Sequence, residues 1–195
     1  SQDLGVDAGY ESYESESTTA FTVVDGNGLI VSVTNTLGEF FGSGTSVHGF
    51  LLNNHMTSFS SLGANAYEPG KRPRSFTAPS VVVSDSFALG IGTPGGRRIP
   101  QILVSVLHDM LVGGEDVQTA VDKNRAVFVE GTLYLEKLDD HPDLVNPDDA
   151  SAYSVIRKGK GDLFEAVQIM GCTRQGKLFG ANDDRREGSF EIEEG

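Results

Sequence analysis

Thr18-Thr19-Ala20-Phe21-Thr22-Val23-Val24-Asp25, followed by Gly26-Asn27-Gly28, is the stretch on which the reading of this chain turns. β-Branched and aromatic residues alternate here as in a half-buried strand, and the glycines flanking Asn27 suit a tight hairpin turn. Leu29 to Asn35 then reads as the return strand. A hydroxyl residue at the head of such a strand has a chemical use. If the backbone were cut just before Thr18, the new terminal amine, with an ordinary pKa of about 8, could take the proton of the adjacent hydroxyl at neutral pH. Threonine is also a plain strand former, so these residues alone leave both readings open.

Outward from the hairpin, two apolar runs read as buried strands, Gly49 to Asn53 and Pro79 to Ser84, the second paired with Phe87 to Gly92 across Ser84-Asp85-Ser86. After the break at Pro94-Gly95-Gly96, a helix is predicted from Arg98 to Val112. There Ile99, Ile102, Leu103, Val106, Met110 and Leu111 recur at three- and four-residue spacing until Gly113-Gly114 ends the pattern. A shorter helix is predicted from Asp116 to Asn124, with Val117, Ala120 and Val121 on one face. Strands return at Ala126 to Glu130 and Thr132 to Glu136. An acidic connector from Asp139 to Asp149 follows, then a last hairpin of Phe164 to Met170 and Lys177 to Gly180. Strands, helices, then strands again is an α+β order, and no internal repeat is present.

The chain has 195 residues, 38% of them hydrophobic and 22% charged, enough for one folded domain with a core. Its 28 acidic and 15 basic residues give a net charge of -13. That balance argues against a nucleic-acid partner, which needs a basic face. No apolar run reaches the roughly 18 residues of a membrane helix, and no basic-then-apolar start marks a signal peptide. Residues 1–17 carry Asp3, Asp7, Glu11, Glu14 and Glu16 with no basic residue, and read as a flexible acidic segment. Residues 18–195 read as the folded domain. Cys172, the single cysteine, can form no internal disulfide and reads as a small core residue.

The ordered motifs are more specific than any one of them. Thr18 to Asp25 with Val33-Thr34-Asn35-Thr36-Leu37, Phe41-Gly42-Ser43-Gly44, Gly49 to Asn54, Lys71-Arg72-Pro73-Arg74-Ser75, Gly92-Thr93-Pro94-Gly95-Gly96 and the tail Gly180-Ala181-Asn182-Asp183 occur in this sequence in that order. Together, over about residues 18–186, they resemble the small catalytic subunit of the γ-glutamyltranspeptidase family of N-terminal nucleophile hydrolases. The resemblance implies a four-layer αββα sandwich completed by a large subunit from the same precursor. It implies cleavage between Ser17 and Thr18, no cofactor, and a small-molecule amide or peptide substrate. Any export signal would lie in the upstream portion, so the localisation is not read from this chain.

The same resemblance assigns roles. Thr18 is the expected nucleophile, and Thr36 the threonine that supports it and the autoprocessing. Gly95 and Gly96 match the paired glycines whose N–H groups hold the oxyanion, where backbone donors must come within about 3 Å and a helix N-terminus adds positive potential. In the substrate site the chain departs from the family. The donor's α-amine is held there by an asparagine, a glutamine and an aspartate, at positions occupied here by Gly38, His55 and Ser58. Of two serines that bind the α-carboxylate, one is retained as Ser75 and the other is replaced by Phe76. A glutathione-like donor is therefore set against an acylase or amidase reading on a non-glutamyl amide, and against a homologue that is never processed.

Other features read as ordinary. Gly90-Ile91-Gly92-Thr93-Pro94-Gly95 matches a dinucleotide pattern but lacks a βαβ unit around it. His48, His108 and His141 are scattered, so no metal site is expected. Asp139-Asp140-His141-Pro142-Asp143 and Asp148-Asp149 read as a solvated connector. Arg97 and Arg98 oppose the dipole of the helix they begin, which points either to a nearby anionic ligand or to a surface salt bridge. Ser1 lies outside the matching hairpin.

Overall fold

A computed structural model describes residues 17–136, 154–159 and 163–193. It opens on the hairpin of β1 (Thr18–Val24) and β2 (Ile30–Thr36). The two strands are antiparallel, with Thr18 opposite Thr36 and Val24 opposite Ile30. Asp25 closes the turn by accepting the N–H groups of Leu29 at 2.8 Å and Asn27 at 2.9 Å. These backbone donors, Leu29 first, hold its carboxyl below the usual carboxylate range. Then come β3 (Ser46–Val47), β4 (Phe50–Leu51), β5 (Ser80–Val83), β6 (Phe87–Gly92), α1 (Ile99–Leu111), α2 (Val117–Asp122), β7 (Ala126–Val129), β8 (Thr132–Glu136), β9 (Ser154–Lys158), β10 (Gln168–Thr173) and β11 (Leu178–Ala181).

Alternation of side chains gives the hairpin two faces. Thr18, Ala20 and Thr22, with Thr36, Thr34 and Ser32 opposite them, make a hydroxyl-rich inner face. Phe21, Val23 and Val31 make an outer face that is 45%, 53% and 43% exposed. The inner face lies on an antiparallel sheet of order β11-β10-β6-β5, where the Ser32 hydroxyl donates to the Ile91 carbonyl at 2.9 Å. Gly90 permits this approach, because a Cβ there would lie 2.5 Å from Thr22 Cγ2. On the sheet's other face, Leu89 and Ile91 are wholly buried against Ile99, Ile102, Leu103 and Val106 of α1 and Ala120 and Val121 of α2. Hairpin, sheet and helices thus stack as three layers of an α+β fold.

The helix ends follow local chemistry. The His108 carbonyl accepts from both Val112 and Gly113 where α1 stops. The Asp116 carboxylate caps α2 by accepting the Thr119 N–H at 3.1 Å. The Thr119 hydroxyl and N–H hold Asp116 below the usual carboxylate range. β7 and β8 are antiparallel and β9 joins β8 in parallel. Gln101 fastens this sheet to α1, donating to the Phe128 carbonyl and accepting its N–H.

Several expectations are corrected. Gly49 to Asn53 is not a buried strand: β4 keeps only two residues, pairs with β3 about His48 and Gly49, and leaves Phe50 61% exposed. The run of valines before Ser84 forms an edge strand, with Val81 and Val83 more than half exposed. The last hairpin begins at Gln168, because the chain from Phe164 to Val167 is buried but irregular, with Glu165 at φ 55°. β9 was not anticipated, since its polar ends give it no alternating signature. Arg98 does not form a surface salt bridge; it is 4% exposed and paired with the buried Glu165, whereas Arg97 pairs with Glu130 at 3.3 Å. Cys172 is half-buried on β10. The segment at residues 1–16 and the acidic connector from Asp139 lie outside the described residues.

Candidate active site

The pairing of β1 with β2 brings two hydroxyls together. Thr18, 8% exposed, donates from Oγ1 to Thr36 Oγ1 at 3.0 Å. Thr36 Oγ1 also accepts the Gly38 N–H at 3.0 Å, and the Ser17 hydroxyl donates to the Gly38 carbonyl at 3.0 Å. Both residues flanking the Ser17–Thr18 bond are therefore held on the turn that follows β2.

That turn is braced by the segment from Asn53 to Ser58. Asn54 donates its N–H to the Leu37 carbonyl at 2.9 Å and accepts the Glu39 N–H on Oδ1 at 3.0 Å. A Cβ on Gly38 would lie 2.0 Å from Asn54 Oδ1, so Asn54 fills the room a side chain would need there. His55, which starts the 3-10 turn His55–Ser58, sits against the same point, and its buried Nε2 has no hydrogen-bond partner among the described residues. The Ser58 carbonyl accepts from Asn65 Nδ2 at 2.7 Å, and Asn65 Oδ1 accepts the Arg74 N–H at 2.9 Å, tying this turn to the segment of Ser75. The contacts of Ser75 and Phe76 are local. The Ser75 hydroxyl bonds Thr77 Oγ1 at 2.8 Å, and the Phe76 ring lies 5.5 Å from the Arg74 guanidinium.

Gly95 and Gly96 follow β6 at φ 127° and 54°, backbone that favours glycine. They lead through the 3-10 turn Gly96–Arg98 into α1, and the Gly95 carbonyl accepts the Arg98 N–H at 3.0 Å. A cleft of about 670 Å³ lined by Thr18, Phe21, Pro94, Gln168, Arg186 and Phe190 places the head of β1, the entry to the glycine loop and the C-terminal segment around one space.

Sequence reasoning missed a network of buried charged groups. Arg125 donates to Asp183 Oδ2 at 2.5 Å, and Arg185 grips Glu136 with bonds of 2.7 and 2.6 Å, all four side chains being buried. Arg185 also donates to the Val121 and Lys123 carbonyls, satisfying the C-terminal end of α2. Burial pushes the Arg125 guanidinium below its ordinary pKa despite Asp183. In Arg185 burial acts the same way, but hydrogen bonds to Glu136 and Asp183 outweigh it and raise the pKa. The available signal was the dense charge of Asp183-Asp184-Arg185-Arg186, which in a sequence reads equally well as surface.

The sequence profile described as gamma-glutamyltranspeptidase matches residues 4–192. The chain belongs to the gamma-glutamyltranspeptidase family. It is 40% identical over 178 residues to the capsule biosynthesis protein CapD proenzyme of Bacillus anthracis, covering 91% of this chain. It is 33% identical over 196 residues to the glutathione hydrolase proenzyme of Escherichia coli K12, covering 89% of this chain. The chain spans about a third of the length of these relatives, 34% and 32%. In structure it is similar to the B. anthracis transpeptidase CapD, with a TM-score of 0.73 and 34% identity over 90% of this chain and 99% of that one. It is likewise similar to the gamma-glutamyltranspeptidase of Pseudomonas nitroreducens, with a TM-score of 0.74 and 32% identity over 90% of this chain and 100% of that one.

Proposed function

We propose that this chain is the catalytic small subunit of an autoprocessing N-terminal nucleophile enzyme that cleaves or transfers γ-glutamyl-type amides. The observation that carries the reading is the 3.0 Å bond from Thr18 Oγ1 to Thr36 Oγ1 at the head of a strand, beside a bond whose other flank, Ser17, is anchored to Gly38. Cleavage of Ser17–Thr18 frees the Thr18 amine. Thr18 Oγ1 then attacks the substrate's amide carbonyl while the amine takes the hydroxyl proton. Negative charge gathers on the carbonyl oxygen, and the Gly95 and Gly96 N–H groups receive it. The tetrahedral intermediate collapses, the protonated amine gives its proton to the leaving nitrogen, and an ester on Thr18 remains. Water or an acceptor amine reverses the sequence and regenerates Thr18. Ser75 contacts the substrate's carboxylate, with Phe76 beside it.

The upstream portion of the precursor is the partner in this reading. It covers the apolar outer row of Phe21, Val23 and Val31 and supplies the fourth layer of an αββα sandwich. A second substrate reading rests on Gly38, His55 and Ser58. The space at Gly38 is taken by Asn54 Oδ1, and no carboxylate stands at His55 or Ser58 to pair with an ammonium. This favours an acyl group without a free α-amine, as in an acylase.

The test is the intact mass and terminal sequence of the precursor, expressed with its upstream portion and incubated at neutral pH. A new terminus at Thr18, lost in Thr18→Ala, is the expected result. A chain in which Thr18 stays internal while activity persists would refute the nucleophile, and an inert uncleaved chain would favour a non-catalytic homologue. A panel of γ-glutamyl and simple acyl anilides then separates the two substrate readings.

A further inference from the structure

Glu165 is a buried carboxylate, 3% exposed, at φ 55°, a backbone conformation that costs a non-glycine residue. Nothing in the acyl-transfer steps uses it. Its side chain packs so closely under Gly95 that a Cβ on that glycine would lie 2.6 Å from Glu165 Cγ. Its Oε1 accepts from Arg98 Nη2, and Arg186 Nη2 lies 2.6 Å from its Oε2. Arg98 returns to the same loop through its own N–H, donated to the Gly95 carbonyl at 3.0 Å. Arg186 lines the cleft that also holds Thr18 and Pro94. From below, Arg125 donates to the Glu165 carbonyl at 3.2 Å, fixing the strained backbone to the Asp183 network.

We propose that Glu165 is the positioning residue of the Gly95–Gly96 loop, clamping it through Arg98 and joining it through Arg186 to the 3-10 turn Asp184–Arg186. This rests on the reading of Gly95 and Gly96 as the oxyanion donors and adds what holds them in place. The contact under Gly95 limits how far the loop can sink away from the substrate. Two guanidinium groups on one carboxylate leave a net positive charge behind donors that face a developing oxyanion. The pairing also accounts for a cation at the N-cap of α1, since Glu165 offsets the Arg98 charge that the helix dipole disfavours.

The experiment uses the processed full-length protein with γ-glutamyl and phenylacetyl p-nitroanilides, following whichever wild type turns over faster. kcat is normalised to titrated Thr18 nucleophile, and thermal unfolding is recorded for each variant. Glu165→Ala is expected to lower kcat about 100-fold, the scale of losing an oxyanion donor, with KM changed little. Glu165→Gln, which keeps the contact under Gly95 and an acceptor for Arg98, is expected to recover kcat to within about tenfold of wild type. Gly95→Ala, whose added Cβ collides with Glu165, serves as the control on the loop itself. If Gly95→Ala lowers kcat while Glu165→Ala lowers only thermal stability and the yield of titratable nucleophile, Glu165 is merely structural and the proposal fails alone. If both leave kcat per nucleophile unchanged, the oxyanion reading fails with it.

Discussion

Thr18 shows how far one residue's chemistry depends on its strand partner. Oγ1 has a hydroxyl acceptor because antiparallel register sets Thr36 across from it, and Thr36 is itself held by the Gly38 N–H. Thr36→Val keeps the shape and removes the acceptor. A hydrogen bond worth about 0.5–1.5 kcal/mol is then lost, and cleavage before Thr18 is expected to slow up to about tenfold in an intact-mass time course. An unchanged rate would remove Thr36 from the processing machinery. Asp183 acts on stability instead. It is fully buried and accepts from Arg125, from the Val167 and Arg185 N–H groups and from the Arg185 guanidinium. Asp183→Ala takes from the buried Arg125 the carboxylate it is paired with, while Arg185 keeps Glu136, and urea unfolding is expected to show a loss of about 3–5 kcal/mol.

At the scale of elements, the closeness of hairpin and sheet depends on a missing side chain. Gly90→Ala puts a methyl group 2.5 Å from Thr22 Cγ2 and 2.9 Å from Ile30 Cγ2, so hairpin and sheet must separate. The expected cost is about 1–3 kcal/mol in denaturant unfolding, with slower cleavage as the head of β1 shifts. The hairpin turn and the start of α2 share a pH signature. Asp25 and Asp116 both have depressed carboxyl pKa values in the folded chain, from the N–H of Leu29 and from Thr119 respectively. Their contribution is complete above the unfolded value of about 3.9 and is lost as pH falls through the lower folded values. Asn at either position is expected to flatten the acid limb of a stability-against-pH curve while leaving its slope near neutrality unchanged.

At the scale of the whole molecule, the outer face of the hairpin is one apolar row that the described residues leave uncovered. An apolar row on a strand pair whose inner row is hydroxyl-rich is the reverse of a free surface hairpin, and it suits a strand pair buried on both sides. Phe21→Asp is expected to abolish co-elution of this chain with the upstream portion of the precursor in size-exclusion chromatography, while the unfolding of this chain alone moves little. Retained association would place the contact elsewhere.

Local rules made much of this legible in the amino-acid order. The first hairpin, both helices with the glycine stop of the first, and the pairing of β5 with β6 follow from alternation, helical periodicity and turn chemistry, which act between near neighbours. The register that sets Thr18 opposite Thr36 and the glycine break before α1 could be read in the same way, because each lies within one short stretch of chain. What only the tertiary structure decided has a common physical cause, the meeting of residues far apart in the chain. The valines before Ser84 became an edge strand because no described strand covers their outer side. Arg98 and Glu165, 67 residues apart, became a buried pair, and Asn54 came to occupy the space beside Gly38. An arginine or glutamate reads as surface in any local window. Its burial is settled only when a distant partner of opposite charge offsets the loss of water, and that meeting is a property of the packed fold.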